Sequence, residues 1–317
     1  MNYHKVYVPH DLSPDEMNKL LAALDENSQL ELKKLSVERY DVESLIDTLE
    51  VYVIISKQPS SRNGKILFVN PFDVSNFLFS VSTYLATENY RDKGIYAKIT
   101  NHFKKNNHLN NMNVSMEGWS GGGSTIGDEL KNSSVLKNNF VLVVVDSDKK
   151  ASNDKIGGTA KGVKFLSHNR FNADYYIPVK VMEVENLIPY KIIQEINNEE
   201  AHLKSFDWSY FDLKNGLKLS ILHDSNVRKY WKQNLENYEG KTIDWDVVDK
   251  MIKDKDSDSS TCGALIPGIG RKLLDSALTS NQWQTIENSD LTDAQLEEWN
   301  IMGKLIFSWT CCSNKRV

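Results

Sequence analysis

Two acidic residues in the middle of the chain have the types and the spacing of a metal site. Asp146 and Asp148 directly follow the apolar run 141–145, and residues two apart in a strand point the same way. Ligand sites in open parallel sheets lie at these carboxyl ends of strands. Two neighbouring carboxylates raise each other's pKa unless a cation lies between them, and Mg²⁺ prefers hard oxygen ligands. The pair therefore predicts a divalent-metal site, with a solvated turn after a buried strand as the alternative.

Glu117 is the third acidic candidate, because the sequence places it at the end of a short strand predicted over 113–116. If the two strands are neighbours in one sheet, Glu117 reaches the same edge as Asp146 and Asp148. Three carboxylates there could hold one or two Mg²⁺ or Mn²⁺ ions, and two such ions stabilise the attacking and leaving oxygens of phosphodiester cleavage. The pattern predicts catalytic and metal-ligating roles for all three acids.

Glycines and lysines near these acids could bind phosphate. Gly122 and Gly123 precede a predicted helix, whose exposed N–H groups favour phosphate, although simple loop flexibility explains the same glycines. Lys149 and Lys150 begin the most basic stretch of a chain whose net charge is −5. They predict a salt-sensitive contact with a nucleic-acid backbone, with a solvated helix face as the alternative. The cations that follow them are Lys155, Lys161, Lys164 and Arg170.

The elements that must position these residues alternate between strand and helix. The run 140–145 is continuously apolar and rich in β-branched residues, which is typical of a strand buried on both faces of a parallel sheet. Further strands are predicted at 113–116 and 175–182, and helices follow the glycines at 121 and 157. The fold class predicted for 111–198 is α/β, a parallel sheet flanked by helices.

The flanking segments have a different texture. Residues 1–110 are predicted as an α+β segment that opens with a capping box at Ser13 and Glu16. Strands at 51–55 and 66–69 follow, with a turn at 60–64 between them, and 73–105 is predicted to be mainly helical. Residues 199–317 are predicted to be mainly helical, and a second capping box, Thr292 with Gln295, begins the last long helix.

Composition narrows the class of protein. The chain has 317 residues and three cysteines, Cys262, Cys311 and Cys312, without the spacing of a zinc site or a disulfide framework. No apolar stretch follows the N-terminal residues, and the apolar runs are too short to cross a bilayer. These features predict a cytoplasmic protein with no membrane anchor.

The acidic residues resemble the motifs of a known family. Glu117-Gly118 after a strand, and Asp146-Ser147-Asp148 after a hydrophobic strand, resemble the TOPRIM domain of topoisomerases, primases, OLD-family nucleases and bacterial anti-phage effectors, including some linked to retrons. The segment Glu185-Asn186-Leu187-Ile188-Pro189 is similar to one that follows TOPRIM cores in defence-associated proteins. The resemblance covers about 111–189. Between Glu117 and Asp146 there is room for one helix, where the family often has a helix, a strand and more, and the family's usual acid soon after Glu-Gly is missing.

The resemblance implies a Mg²⁺- or Mn²⁺-dependent nuclease that cleaves DNA or RNA, of the type that serves as an anti-phage effector beside a partner defence protein. In that family pattern Glu117 would be the general acid/base or a metal ligand. Asp146 and Asp148 would be metal ligands, and Glu185 would be an additional acidic ligand.

Three other functions fit parts of the pattern. A haloacid-dehalogenase-like phosphotransferase uses the first Asp of such a motif as nucleophile and the second as acid/base, but here Lys149 and Lys150 follow the pair. A sugar-nucleotide transferase would hold a metal-bound diphosphate on Asp146 and Asp148. A recognition module with a degenerate TOPRIM-like core would bind metal or a partner without catalysis.

Overall fold

The computed structural model describes residues 13–37, 45–55, 57–70, 72, 82–166, 171–197, 200–240, 243–253 and 264–312. Several residues of the sequence predictions lie outside these ranges: 73–81 of the predicted helical stretch, Arg170 and Cys262.

A four-stranded sheet carries the centre of the molecule, and its strands all run parallel. In spatial order they are β6 (Met116–Ser120), β4 (Thr83–Thr87), β7 (Val141–Val144) and β8 (Ala173–Tyr176). Together with the helices on both faces, this sheet confirms the predicted α/β class. The strands end at a common edge, where Thr87 lies opposite both Ser120 and Val144.

Strand β7 is buried along its whole length, as the unbroken apolar run predicts. Leu142 and Val144 pack into a core shared with helix α3 (Asp92–Asn106). Val141 and Val143 pack into a second core, shared with helices α4 (Ile126–Asn132) and α6 (Gly158–Val163). A short helix α5 (Val135–Asn138) precedes β7. The sheet is therefore covered on both faces, which a parallel sheet requires.

The strand next to β7 comes from the part of the chain that was predicted to be helical. Within the described residues of 73–105, the prediction is confirmed for helix α3 and is wrong for β4. The run Thr83–Thr87 is only five residues long but combines β-branched and aromatic side chains, which favour a strand. Its position between β6 and β7 buries Leu85 and Ala86 completely.

The first segment begins with helices α1 (Pro14–Ala22) and α2 (Glu26–Val37), and the Ser13–Glu16 capping box is confirmed. A three-stranded sheet follows, in the order β1 (Tyr52–Ile55), β3 (Ile66–Val69) and β2 (Ser61–Asn63). Strands β1 and β3 are confirmed. The predicted turn at 60–64 was too wide, because β2 lies within it and pairs antiparallel with β3.

The last segment is mainly helical, as predicted. Its helices are α7 (Tyr190–Ile196), α8 (Ser225–Asn234), α9 (Trp245–Lys253), α10 (Leu273–Thr279) and α11 (Asp293–Thr310). Helix α11 begins with the predicted Thr292–Gln295 capping box and packs along α3, where Gly303 faces Phe103. After it, β9 (Cys311–Cys312) pairs with β5 (Asn113–Val114).

The predicted segments 1–110, 111–198 and 199–317 are closely interleaved. Strand β4 of the first lies inside the sheet of the second, and β9 of the third pairs with β5 of the second. Their independence as domains stays a prediction. Within the described ranges, no helix combines the length and the apolar character that crossing a bilayer requires.

Candidate functional site

The two aspartates follow β7 in a tightly bonded turn. The Ser147 hydroxyl is buried and donates to the Val181 carbonyl at 2.5 Å. Asp146 Oδ1 accepts the backbone N–H of Val184 at 2.9 Å. Asp148 has a φ of 55°, a left-handed conformation that is strained for most residues but tolerated by Asp. Backbone strain of this kind is held in place by the surrounding structure and often accompanies functional sites.

Glu88, which the sequence analysis did not select, is the acid that reaches this pair. It follows the last residue of β4, and its Oε1 accepts the backbone N–H of Asp146 at 3.1 Å. Burial raises the pKa of Glu88 to about 7, and the charges of Asp148 and Asp92 add to the rise. A carboxyl with such a pKa exchanges its proton near neutral pH, which suits a general acid or base.

Glu117 is not brought to the pair, and the prediction that it ends its strand is wrong. It is the second residue of β6 and lies opposite Tyr84, four residues before Glu88 on the neighbouring strand. At about 3.3 Å per residue, Glu117 lies roughly 13 Å back from the level of Glu88. Its side chain is exposed. The strand continues past Glu117 because β4, its partner, extends it to Ser120.

Helix α3 starts beside Glu88 and contributes a second acid. Asp92, only 3% exposed, accepts the backbone N–H of Asn89 at 2.9 Å through Oδ2. Burial raises the pKa of Asp92 to about 7, with a further rise from Glu185. One turn later, Tyr96 is fully enclosed, and burial together with the charge of Asp146 raises its pKa well above the usual value.

Two more acids come from the turn after β8. Glu183 and Glu185 are 9% and 2% exposed, and they share one cation: Lys214 Nζ lies 3.1 Å from Glu183 Oε2 and 3.0 Å from Glu185 Oε1. Burial raises the pKa of Glu183, and Glu185 raises it further. Burial lowers the pKa of Lys214, but the two glutamates outweigh this and raise it above its usual value. The ammonium is therefore charged.

The charges of four of these acids act on Asp146. Burial raises the pKa of Asp146 well above its usual value, and Glu88 and then Asp92 raise it further, followed by Glu183 and Glu185. Partial enclosure raises the pKa of Asp148, against the opposing charges of Lys150 and Lys214. Six carboxylates thus lie at the carboxyl edge of the parallel sheet: Glu88, Asp92, Asp146, Asp148, Glu183 and Glu185. We call them the acidic cluster.

The predicted phosphate-binding glycines border this cluster. Gly122 and Gly123 have left-handed φ values of 65° and 73°, which only glycine adopts without strain. The Gly123 N–H donates to the Glu88 carbonyl at 3.2 Å. The two glycines therefore lie at the same sheet edge as the acids, beside Glu88.

Lys149 and Lys150, which were predicted to bind phosphate, have different surroundings. The Lys149 ammonium is turned inward and donates to the Ser152 and Val179 carbonyls at 2.6 and 3.2 Å. It also lies 5.4 Å from the centre of the Tyr210 ring. These contacts indicate that Lys149 has a structural role and does not contact a substrate. Lys150 is only partly buried, and its charge acts on Asp148. Beyond them, Lys155, Lys161 and Lys164 are exposed.

Oxygen ligands of this kind suit Mg²⁺ or Mn²⁺, which usually take one or two carboxylates and keep several waters. Two buried carboxylate oxygens, Glu183 Oε1 and Glu185 Oε2, have no hydrogen-bond partner. Within the described part of the chain, no three His, Cys, Asp or Glu side chains are grouped closely enough to hold a metal ion together. The acids that could hold an ion are therefore considered in pairs, with Glu88 and Asp146 the pair that a hydrogen bond joins.

Sequence reasoning missed Glu88, Asp92, Glu183 and Lys214. Glu88 carries the signal that was sought at Glu117, a short β-branched run that ends in an acid, and Asp92 follows it by one helical turn. Glu183 lies two residues before Glu185, the spacing that drew attention to Asp146 and Asp148. Lys214 has no such signal, because a distant loop brings it to the cluster.

The chain matches no family model, no curated protein and no solved structure.

Proposed function

We propose that this protein is a Mg²⁺- or Mn²⁺-dependent nuclease with a TOPRIM-like core that hydrolyses phosphodiester bonds in DNA or RNA. The observation that carries the proposal is the acidic cluster itself: six carboxylates at one sheet edge, several with raised pKa values, opposed by the charges of Lys214 and Lys150. Buried carboxylates that raise one another's pKa are relieved by a bound cation.

Three features at residues other than Glu117 support the TOPRIM-like proposal. Glu88 and Asp146 follow the neighbouring strands β4 and β7 and are joined by a hydrogen bond. Asp92 is the acid soon after the glutamate that was missing after Glu117. Between Glu88 and Asp146 lie α3, β6 and α4, the helix and strand that the family often has there. These three agreements support the TOPRIM-like proposal with Glu88 in place of Glu117.

The residues have separable roles in this proposal. Glu88 and Asp146, the pair joined by a hydrogen bond, would hold the ion directly, and Asp148 would act on it through the waters that such an ion keeps. When bound, the ion would stabilise the charge that develops on the phosphate oxygens. Before an ion binds, burial holds the pKa of Glu88 near 7, and a bound cation would lower it and leave the carboxylate charged. Gly123 leaves open space beside Glu88, whereas the space beside Gly122 is filled by the Glu129 carboxylate. The exposed lysines that follow Lys150 would attract the nucleic-acid backbone.

The test is nuclease activity on plasmid DNA and on RNA with Mg²⁺ or Mn²⁺, for the wild type and three variants. Glu88→Gln and Asp146→Asn should lower the rate about 100-fold or more, the usual contribution of a catalytic acid or base. Glu117→Gln is the matched control, because it changes an exposed glutamate of the same sheet away from its edge, and it should stay within about twofold of the wild type.

Two outcomes would contradict the proposal. One is the absence of cleavage of either nucleic acid with either metal. The other is a pattern in which Glu88→Gln cleaves as fast as the wild type. Circular dichroism of each variant establishes that it is folded, so that a lost activity reports on the site.

A further inference from the structure

The Lys214 ammonium lies between two buried carboxylates. It lies within 3.1 Å of Glu183 Oε2 and 3.0 Å of Glu185 Oε1. The Glu185 side chain is 2% exposed and that of Lys214 is 32% exposed. A lysine ammonium is a compact point charge, and with two carboxylates around it, it stands where a cation would otherwise be needed.

Each of the two glutamates has a carboxylate oxygen that does not contact the Lys214 ammonium. Glu183 Oε1 and Glu185 Oε2 are buried and have no hydrogen-bond partner. A buried carboxylate oxygen without a partner is costly. The pair therefore has the oxygen atoms to take a divalent cation when the ammonium is removed.

The glutamates are held rigidly. The amide group of Asn186 is fully buried; its Nδ2 donates to the Trp208 and Phe211 carbonyls at 2.8 and 2.9 Å. Its Oδ1 accepts the Glu183 N–H at 3.0 Å. These bonds fix the turn, so the spacing of the two carboxylates does not depend on the lysine alone.

The backbone of Lys214 is also anchored. Its N–H donates to Asp212 Oδ1 at 3.0 Å, and the neighbouring Leu213 carbonyl accepts the Ile269 N–H at 2.7 Å. The ammonium is thus delivered from a fixed loop to a fixed pair of acids, which distinguishes it from a surface lysine that makes a chance ion pair.

We propose that Lys214 is the resident cation of the Glu183–Glu185 pair, so that a divalent ion enters only the half of the acidic cluster formed by Glu88, Asp146 and Asp148. The inference rests on the proposed function for the second half of this statement. In this proposal the Lys214 ammonium holds the Glu183 and Glu185 carboxylates in place, and the acidic cluster binds a single divalent ion.

The experiment counts bound Mn²⁺ by electron paramagnetic resonance and calorimetry on the full chain. The wild type should bind one ion, and Lys214→Ala should bind two. Lys214→Arg keeps the positive charge and should bind one. Combining Lys214→Ala with Glu185→Gln should remove the additional ion and return the count to one. Mn²⁺ should raise the melting temperature of Lys214→Ala by more than that of the wild type, because the ion replaces the missing charge.

The outcomes separate the two proposals. Two ions in the wild type, or one ion in both the wild type and a folded Lys214→Ala variant, overturn the resident-cation inference and leave the nuclease proposal standing. No ion in the wild type but one in Lys214→Ala supports the inference and contradicts the proposed function. No ion in either contradicts both. If Lys214→Ala unfolds without metal, recovery of its fold by Mn²⁺ supports the inference, and failure to recover overturns it.

Discussion

The stability of the metal-free protein should fall as the pH rises from 5 to 7, and Asp92 allows the size of the effect to be worked out. The ordinary pKa of this carboxyl is 3.8, and burial raises it to about 7 in the folded protein. Across this range the folded protein keeps a proton that the unfolded chain has released. The free energy of unfolding then falls by about 1.4 kcal/mol per pH unit at most, or about 2 kcal/mol over the window, because the folded carboxyl is half ionised at pH 7.

The sign follows from the direction of the shift. A carboxyl whose pKa is raised by folding stabilises the protein fully only below its unfolded pKa, and that stability is lost as the pH climbs to the folded pKa. Glu88, whose pKa is also raised to about 7, acts in the same direction. The two effects do not simply add, because neighbouring acids titrate together.

The assay is urea unfolding followed by tryptophan fluorescence, in EDTA, at several pH values between 5 and 8. Asp92→Asn should flatten the pH dependence by about 1.4 kcal/mol per pH unit, while its amide oxygen can still accept the Asn89 N–H. Asp128→Asn changes an exposed aspartate of α4 and should follow the wild-type curve. A wild-type stability that rises between pH 5 and 7, or an Asp92→Asn curve as steep as the wild type's, would refute the reasoning.

Two further predictions concern the geometry of the site. A methyl group at Gly157 would lie 2.2 Å from Asp148 Oδ2, so Gly157→Ala should displace that carboxylate and weaken Mn²⁺ binding about tenfold or more in calorimetry, the range seen when a ligand's support is lost. The control is Gly158→Ala, whose methyl group would meet no atom within 4 Å. Equal Mn²⁺ affinities of the two variants would contradict the placement of Asp148. Asn186→Ala removes three buried hydrogen bonds and should lower the free energy of unfolding by about 3 kcal/mol. The control is Asn153→Ala, at an exposed residue, which should change the free energy of unfolding by less than about 0.5 kcal/mol. An equally small change for Asn186→Ala would count against the anchoring role of Asn186.

The strand that carries the acidic pair could be read from the sequence because its signal is local. The run 140–145 is apolar and β-branched without interruption, and only a strand covered on both faces needs such a run. Asp146 and Asp148 follow directly on this run in the sequence, so their location at the end of the strand is also local information. The same holds for the helix starts at Ser13 and Thr292, where the capping residues are three positions apart.

The rest of the site depends on contacts between distant parts of the chain. The stretch 73–105 was predicted to be mainly helical, so the strand at 83–87 and the acid that follows it were not predicted, and the acid beside the pair was sought at Glu117. The structure places β4 beside β7, so Glu88 and not Glu117 reaches Asp146. Lys214 lies on a loop that is held by hydrogen bonds involving Asp212 and Ile269. No local sequence pattern predicts that this loop contacts the acidic cluster.

The central place of β4 has a consequence for any attempt to isolate the predicted core. A fragment that begins at residue 111 would contain β6, β7 and β8 but would lack the strand between the first two. Since adjacent strands lie about 4.8 Å apart, the gap left between β6 and β7 would be roughly 10 Å wide. Both of its sides would present unpaired backbone N–H and C=O groups, the surface on which chains stack edge to edge into aggregates.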